Sequence, residues 1–192
     1  MAGFVYNLTN LMTFSGRENR AQFWPYAGVV FALSFVALAA VMLPEISASM
    51  TRMEKFAIEH PDISTIERGP GSYSITIQGY HPELMPDVAH ALLLMTPVLF
   101  LMIVLLAGAI ARRLHDRGKS AFWGLAPIPF LLFAGFAMPR LFALDLADVA
   151  AILPLFFAVF FNNILYLAAL AYLIVLLAGD SVKGENRFGP AA

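Results

Sequence analysis

The chain has 192 residues, 60% of them hydrophobic and 13% charged, with 12 basic and 13 acidic side chains. An average soluble domain is roughly 45–50% apolar and about 25% charged, so an ordinary soluble domain, a disordered chain and a nucleic-acid binder are all excluded. There are no cysteines, which excludes a disulfide framework, an iron–sulfur cluster and a cysteine zinc site.

In chain order, Phe4, Leu8, Leu11 and Met12 recur at helical spacing opposite Asn7 and Asn10. That predicts a short amphipathic helix lying on the membrane. Ser15, with Glu18 three residues on, reads as a capping box for the next helix. Arg17 and Arg20 then fall one turn apart on one face. The first charge-free apolar block is 23–43, with 21 residues. Loop 44–90 follows. Pro44 suits the first position of a separate helix, with Ile46, Met50, Met53 and Ala57 on one face and Pro61 ending it. Gly69-Pro70-Gly71 is a turn signal between Ile63–Ile66 and the alternating strand Tyr73–Ile77. The 47-residue loop is therefore expected to be a small helix-plus-hairpin insertion on the outer face. It is too small for a robust core of its own, so it should rest on the outer ends of the spans.

Three more charge-free blocks follow at 91–111, 121–138 and 149–178, of 21, 18 and 30 residues. A spanning helix needs roughly 17–25 apolar residues, and in lipid its backbone must satisfy itself. The fold class is therefore an all-α integral membrane protein, a four-helix transmembrane bundle forming a single membrane domain over 1–192. The third block is the shortest and holds Pro127 and Pro129, which kink or break a helix. A re-entrant segment there would move the C-terminus to the other side.

Orientation follows from Lys and Arg rather than net charge. Segments 1–22, 112–120 and 179–192 share one side if there are four spans, and carry 8 basic residues in 45 positions. Loops 44–90 and 139–148 carry 4 in 57. Both termini are expected to be cytoplasmic, with loop 44–90 extracytoplasmic.

Three stretches on the cytoplasmic side carry most of the chemistry: Phe14–Trp24, Ala111–Ser120 with Phe122-Trp123, and Gly184–Pro190. Together they resemble the YhaH/YhaI-like bacterial inner-membrane proteins, a domain of unknown function (DUF805). That family is marked by a phenylalanine-serine-glycine-arginine opening with a second arginine and an aromatic pair. It is also marked by a loop close to RRLHDxGKSxWW and an ending close to ENRFGP. This chain has Phe14–Arg17, Arg20, Phe23-Trp24, Arg112–Asp116, Gly118–Ser120, Trp123 and Glu185–Pro190. The resemblance covers everything but loop 44–90. It implies a multi-pass protein of the bacterial inner membrane and brings no activity with it.

Since the three motifs share one face, they can meet. Arg17, Arg20, Arg112, Arg113, Arg117, Lys119 and Arg187 then surround a patch whose acids are Glu18, Asp116, Asp180 and Glu185. One reading is structural, with pairs such as Arg113–Asp116 and Arg187–Glu185 locking loop and tail together. The other is an anion site for a lipid headgroup or phosphate-bearing ligand. Its candidate residues are Arg17, Arg20, Arg112, Arg113, His115, Asp116, Lys119, Asn186 and Arg187. His115-Asp116 invites a general-base reading, but adjacent residues on a short loop rarely face each other. Gly118-Lys119-Ser120 looks like the end of a P-loop, which would need glycine at 113 and a preceding strand. No enzyme activity and no cofactor is therefore expected.

Asn162 and Asn163 interrupt the fourth block. Polar groups at that depth are expected to face other helices and bond across them. The alternative is a solute pathway with Pro97, Pro127, Pro129 and Pro154 as helix breaks. No acidic or basic residue lies in any block, which argues against an ion-coupled pump. His60, His81 and His90 offer a metal reading outside, opposed by two of them preceding proline in irregular segments.

The leading expectation is a non-enzymatic inner-membrane protein whose basic face docks anionic membrane lipids or a protein partner. A small-solute transporter or channel acting as a homo-oligomer is one alternative. An enzyme working on a lipid headgroup is another.

Overall fold

A computed structural model describes residues 2–144 and 148–190. Its elements are α1 (Ala2–Thr9), α2 (Arg20–Glu59), β1 (Ser64–Gly69), β2 (Ser72–Ile77), α3 (Val88–Asp116), α4 (Ile128–Ala143) and α5 (Val149–Ala178). Short 3-10 turns at Pro82–Leu84 and Ala121–Leu125 lead into α3 and α4. The protein is an all-α membrane protein with one small hairpin. Four stretches are long and apolar enough to cross a bilayer: Arg20–Glu59, Pro82–Asp116, Ala121–Ala143 and Val149–Ala178.

The apolar blocks form helices because only self-satisfied backbone survives in hydrocarbon. Packing runs α1 on α2, α2 on α3, α3 on α4 and α4 on α5. The core lies at the end of the bundle that carries the motifs. Phe23, Tyr26, Ala27 and Val30 of α2 meet Leu106, Ala109 and Leu114 of α3 and Leu173, Leu176 and Leu177 of α5. Tyr26 donates its hydroxyl to the Leu105 carbonyl at 2.7 Å, tying α2 to α3. Elsewhere large side chains such as Phe35, Phe100 and Leu132 point outward, each at least 67% exposed. That is the surface a lipid solvent accepts.

Helix α2 differs from expectation. It runs unbroken through Pro44, for 40 residues. At 1.5 Å per residue it reaches about 60 Å, roughly twice a hydrocarbon core. Pro44 removes one helical hydrogen bond, to the carbonyl four residues back. The distal half is held in place by the outer segment packed on it. Ser49 donates to the Leu84 carbonyl at 2.6 Å and Arg52 to that of Met85 at 2.9 Å. The hairpin forms as expected, with Ile66 opposite Ile75 and Gly69 opposite Ser72. Gly71 has φ +79°, the conformation a turn following Pro70 requires. The outer segment thus leans along the projecting part of α2 rather than on the ends of the other spans.

Four further boundaries move. Helix α3 continues through Asp116, so the expected nine-residue loop shrinks to 117–120, because Arg112 and Arg113 are anchored inside the structure rather than solvated. Pro127 caps α4 and Pro129 lies in its first turn, where a missing N–H costs nothing. These prolines start the helix instead of breaking it. The capping box belongs to Asn19 and Gln22, not to Ser15 and Glu18. Gly16, at φ +88°, turns the chain before the helix, and Glu18 is drawn elsewhere. The first half of the expected loop 139–148 is helix α4, up to Ala143, and its residues 145–147 lie outside those described.

Candidate functional site: a buried ionic clasp

The three motifs do meet. Helix α1 turns its asparagine inward: Asn7 is fully buried and Leu8 is exposed, while Phe4 and Leu11 pack against the core as expected. Asn7 leaves the expected polar face because it has charged partners to satisfy. Its amide donates to Glu18 Oε1 at 2.7 Å, and its carbonyl oxygen accepts from Arg112 Nη2 at 2.5 Å. Glu18 Oε2 accepts from Arg112 Nε at 3.1 Å. The remaining guanidinium nitrogen of Arg112 donates to the Asn10 and Thr13 carbonyls. One arginine on α3 therefore holds the whole N-terminal segment. The approach is close enough to need Gly108, where a Cβ would stand 2.4 Å from the Leu11 carbonyl oxygen.

A second knot lies one turn along. Arg17 donates to Asp116 Oδ1 through Nε at 3.1 Å and Nη2 at 3.0 Å. It also reaches the tail carbonyls of Val182 and Gly184, each at 2.6 Å. Arg113 donates to Asp116 Oδ2 at 2.5 Å, to the Leu177 carbonyl at 2.9 Å and to the Gly179 carbonyl at 2.5 Å. The Ser181 hydroxyl donates to the same Oδ2. Asp116 thus collects donors from the N-terminal segment, from α3 and from the tail. Arg112, Arg113, Glu18 and Asp116 have no exposed surface, and Arg17 retains 8%. Among the described residues, the one buried side-chain polar atom without a partner is Arg52 Nε, outside the clasp.

Burial pushes the Glu18 carboxyl above its ordinary value, while the Asn7 hydrogen bond and the Arg112 charge pull the other way. Three guanidiniums face two carboxylates, so carbonyl oxygens supply the rest of the compensation. Fork-shaped, permanently charged donors suit that task.

The remaining candidates lie outside the knot. His115 turns away from Asp116: its Nδ1 faces the Gly16 carbonyl at 3.3 Å, and its ring stacks on Phe188 at 3.9 Å and 9°. Arg187 lies over the other partner of that stack, 4.6 Å from the Phe188 ring centre. Asn186 donates to the His115 carbonyl at 3.0 Å and accepts from the Phe188 N–H at 2.8 Å. Of the expected locking pairs, Arg113–Asp116 is present, whereas Arg187 is spent on Phe188. Arg20 pairs with Asp180 at 2.9 Å across the surface. Arg17 and Arg20 do not share a helical face, because Arg17 precedes the helix. Lys119 is exposed, as are Lys183 and Arg187, while Arg117 is half-buried across Gly179.

The two intramembrane asparagines part company. Asn162 is buried and donates to the Phe130 carbonyl of α4 at 3.0 Å. Asn163 is exposed on the outside of α5, against the expectation that both face other helices. Of the outer histidines, His60 and His81 each pack against Phe56. Among the described residues no group of three or more His, Asp or Glu is arranged to hold a metal.

The sequence missed Asn7, Gly108 and Ser181 as parts of the site, and it placed Glu18 in the patch without naming its partner. Asn7 and Glu18 had plausible local roles, at a polar helix face and in a cap. No local pattern marks Gly108 or Ser181.

Helices able to span a bilayer, closed at one end by a buried arginine–carboxylate clasp, define a polytopic helical membrane protein tied together by its two terminal segments. A family described as Protein of unknown function (DUF805) matches residues 11–190. The chain belongs to that family. No match was found among curated proteins or among solved structures.

Proposed function

We propose that the protein is a non-enzymatic component of the bacterial inner membrane whose cytoplasmic face docks anionic lipid headgroups. The observation that carries this is a division of labour among the basic residues. Arg17, Arg112 and Arg113 are consumed inside the clasp. Arg20, Lys119, Lys183 and Arg187 remain exposed on its rim, Arg20 in a solvent-facing pair with Asp180 and Arg187 over the Phe188 ring. The docking surface is therefore the rim, and the clasp is the frame that holds the tail's share of it in place. Each basic residue beside a membrane surface attracts anionic lipid by about 1 kcal/mol. The excess of Lys and Arg on these segments supports cytoplasmic termini, and the motif resemblance supports the bacterial inner membrane.

The catalytic reading of His115 loses its base–carboxylate pair, since Asp116 is fully engaged and His115 is stacked on the tail. The solute-pathway reading loses its paired asparagines, which point to different sides of α5.

Native mass spectrometry of the purified protein with phosphatidylglycerol and phosphatidylcholine tests the proposal. The triple variant Arg20→Ala, Lys119→Ala, Arg187→Ala should lower retained phosphatidylglycerol by up to roughly a hundredfold. Equal retention by wild type and variant overturns the reading.

A further inference from the structure

Beside the clasp lies a half-open groove of about 580 Å³, bounded by α2, α3, the turn 121–125, α4 and α5. Its volume falls in the roughly 300–1,000 Å³ range of small-ligand sites. Its walls include Phe31, Leu106, Leu131 and Leu173, and among the described residues no charged one lines it. Trp24 and Phe122 stand at the end nearest the motifs. Small side chains make the space, Ala27 and Ala107 among them. Gly124 fits closely, since a Cβ there would come 2.9 Å from Ile110.

A groove of this kind is too apolar to hold ordered water, which needs two to four polar partners. Left empty, its walls would forfeit dispersion contacts. Within a bilayer, something made of hydrocarbon fills it. The rim identifies which hydrocarbon. Lys119 is two residues from groove-lining Ala121, within about 7.6 Å along the chain. Arg20 lies one helical turn from groove-lining Phe23, about 5–6 Å away. An apolar slot with two exposed cations at its mouth, Lys119 and an Arg20 whose solvent-facing pair with Asp180 a phosphate would displace, is complementary to an amphiphile with an anionic head. A second copy of the chain, inserted in the same orientation, would instead press one basic rim against another.

We infer that the groove holds one acyl chain of an anionic phospholipid, whose phosphate rests between Lys119 and Arg20. This rests on the headgroup-docking function proposed above and gives that lipid a fixed seat.

The chain contains two tryptophans, and Trp24 lines the groove whereas Trp123 packs against Tyr172. The full-length Trp123→Phe variant therefore carries its reporter in the groove. It is reconstituted in phosphatidylcholine vesicles containing rising fractions of phosphatidylglycerol with brominated chains, which quench tryptophan on contact. Brominated phosphatidylcholine serves as the comparison. The expected result is saturable quenching of Trp24, reaching half-effect at about tenfold lower fraction for phosphatidylglycerol. Adding Ala107→Phe, which fills the groove, should turn this into a shallow linear dependence.

Saturable quenching with no charge preference would support the chain seat and overturn headgroup docking. Linear quenching by both lipids in Trp123→Phe overturns the groove inference, even where phosphatidylglycerol is retained on the rim. Absence of quenching together with a cross-linked dimer also overturns it, and assigns the groove to a second copy. The saturation measurement on Trp123→Phe alone decides the matter should Ala107→Phe not fold.

Discussion

Replacing Asp116 gives the sharpest test of the clasp. Its carboxylate accepts from Arg17, Arg113 and Ser181 with no exposure to solvent. In Asp116→Ala two buried guanidiniums lose their countercharge. Breaking a buried ion pair in this way costs about 3–5 kcal/mol, mostly because a buried charge is left uncompensated. Both arginines keep several carbonyl acceptors, which places the loss toward the lower end, about 3 kcal/mol. Arg17→Ala leaves Arg113 on Asp116 and should cost less. The double variant should fall short of the sum of the two singles, with a coupling of up to about 3 kcal/mol. Unfolding in mixed micelles measures these terms. Tryptic cleavage at Lys183 and Arg187 reports the tail separately, because Arg17, Arg113 and the Asp116 backbone all hold it. Cleavage should accelerate in Asp116→Ala in step with the stability loss. Additive energies, with a tail cut no faster than in wild type, would refute the assignment of Asp116 as the junction between the two ends.

Five other variants probe separate parts of the same reasoning. Gly108→Ala places a methyl against the Leu11 carbonyl and should cost about 1–3 kcal/mol through overpacking, read as a lower unfolding midpoint. Arg112→Lys keeps one positive charge but loses the fork that meets Asn7, Asn10, Thr13 and Glu18 from three nitrogens; it should free the N-terminal segment to proteolysis while leaving membrane insertion intact. Burial raises the Glu18 carboxyl, so the folded state binds its proton more tightly than the unfolded state does. Its contribution to stability is therefore lost as pH rises from the ordinary glutamate value through the raised one, and Glu18→Gln should flatten that part of the stability–pH curve. Asn162→Leu removes the bond to Phe130 and should cost about 0.6 kcal/mol, whereas Asn163→Leu, on the exposed side of α5, should leave stability unchanged in an unfolding titration.

The spans were legible because hydrocarbon imposes one rule on every residue in it. Charge-free runs of sufficient length must be helical, and nothing local competes with that. The hairpin was legible for a related reason: alternation and a Pro-Gly turn act within a dozen residues. Boundaries were not legible where a distant partner decides them. Asn19 rather than Ser15 caps α2 because Glu18 is taken by Arg112, 94 positions away in the chain. Helix α3 outruns its apolar block because Arg112 and Arg113 find acceptors in segments at opposite ends of the sequence. Asn7 looked like a water-facing residue on an amphipathic helix, and only the buried Glu18 and Arg112 turn it inward.

Arg17, Arg112 and Arg113 meet two demands at different times. The positive-inside rule acts on a chain that has not yet folded, so all 8 basic residues of these segments count toward orientation. After folding, three of them are buried and neutralised. Orientation alone does not require this arrangement, since solvated lysines would supply it without loss. Burying a guanidinium costs several kcal/mol per ion, recovered only where planar donors meet carboxylates and carbonyls in fixed directions. The acceptors here are drawn from Asn7–Glu18 on one side and Leu177–Gly184 on the other, so the clasp is complete only with both segments docked on α3.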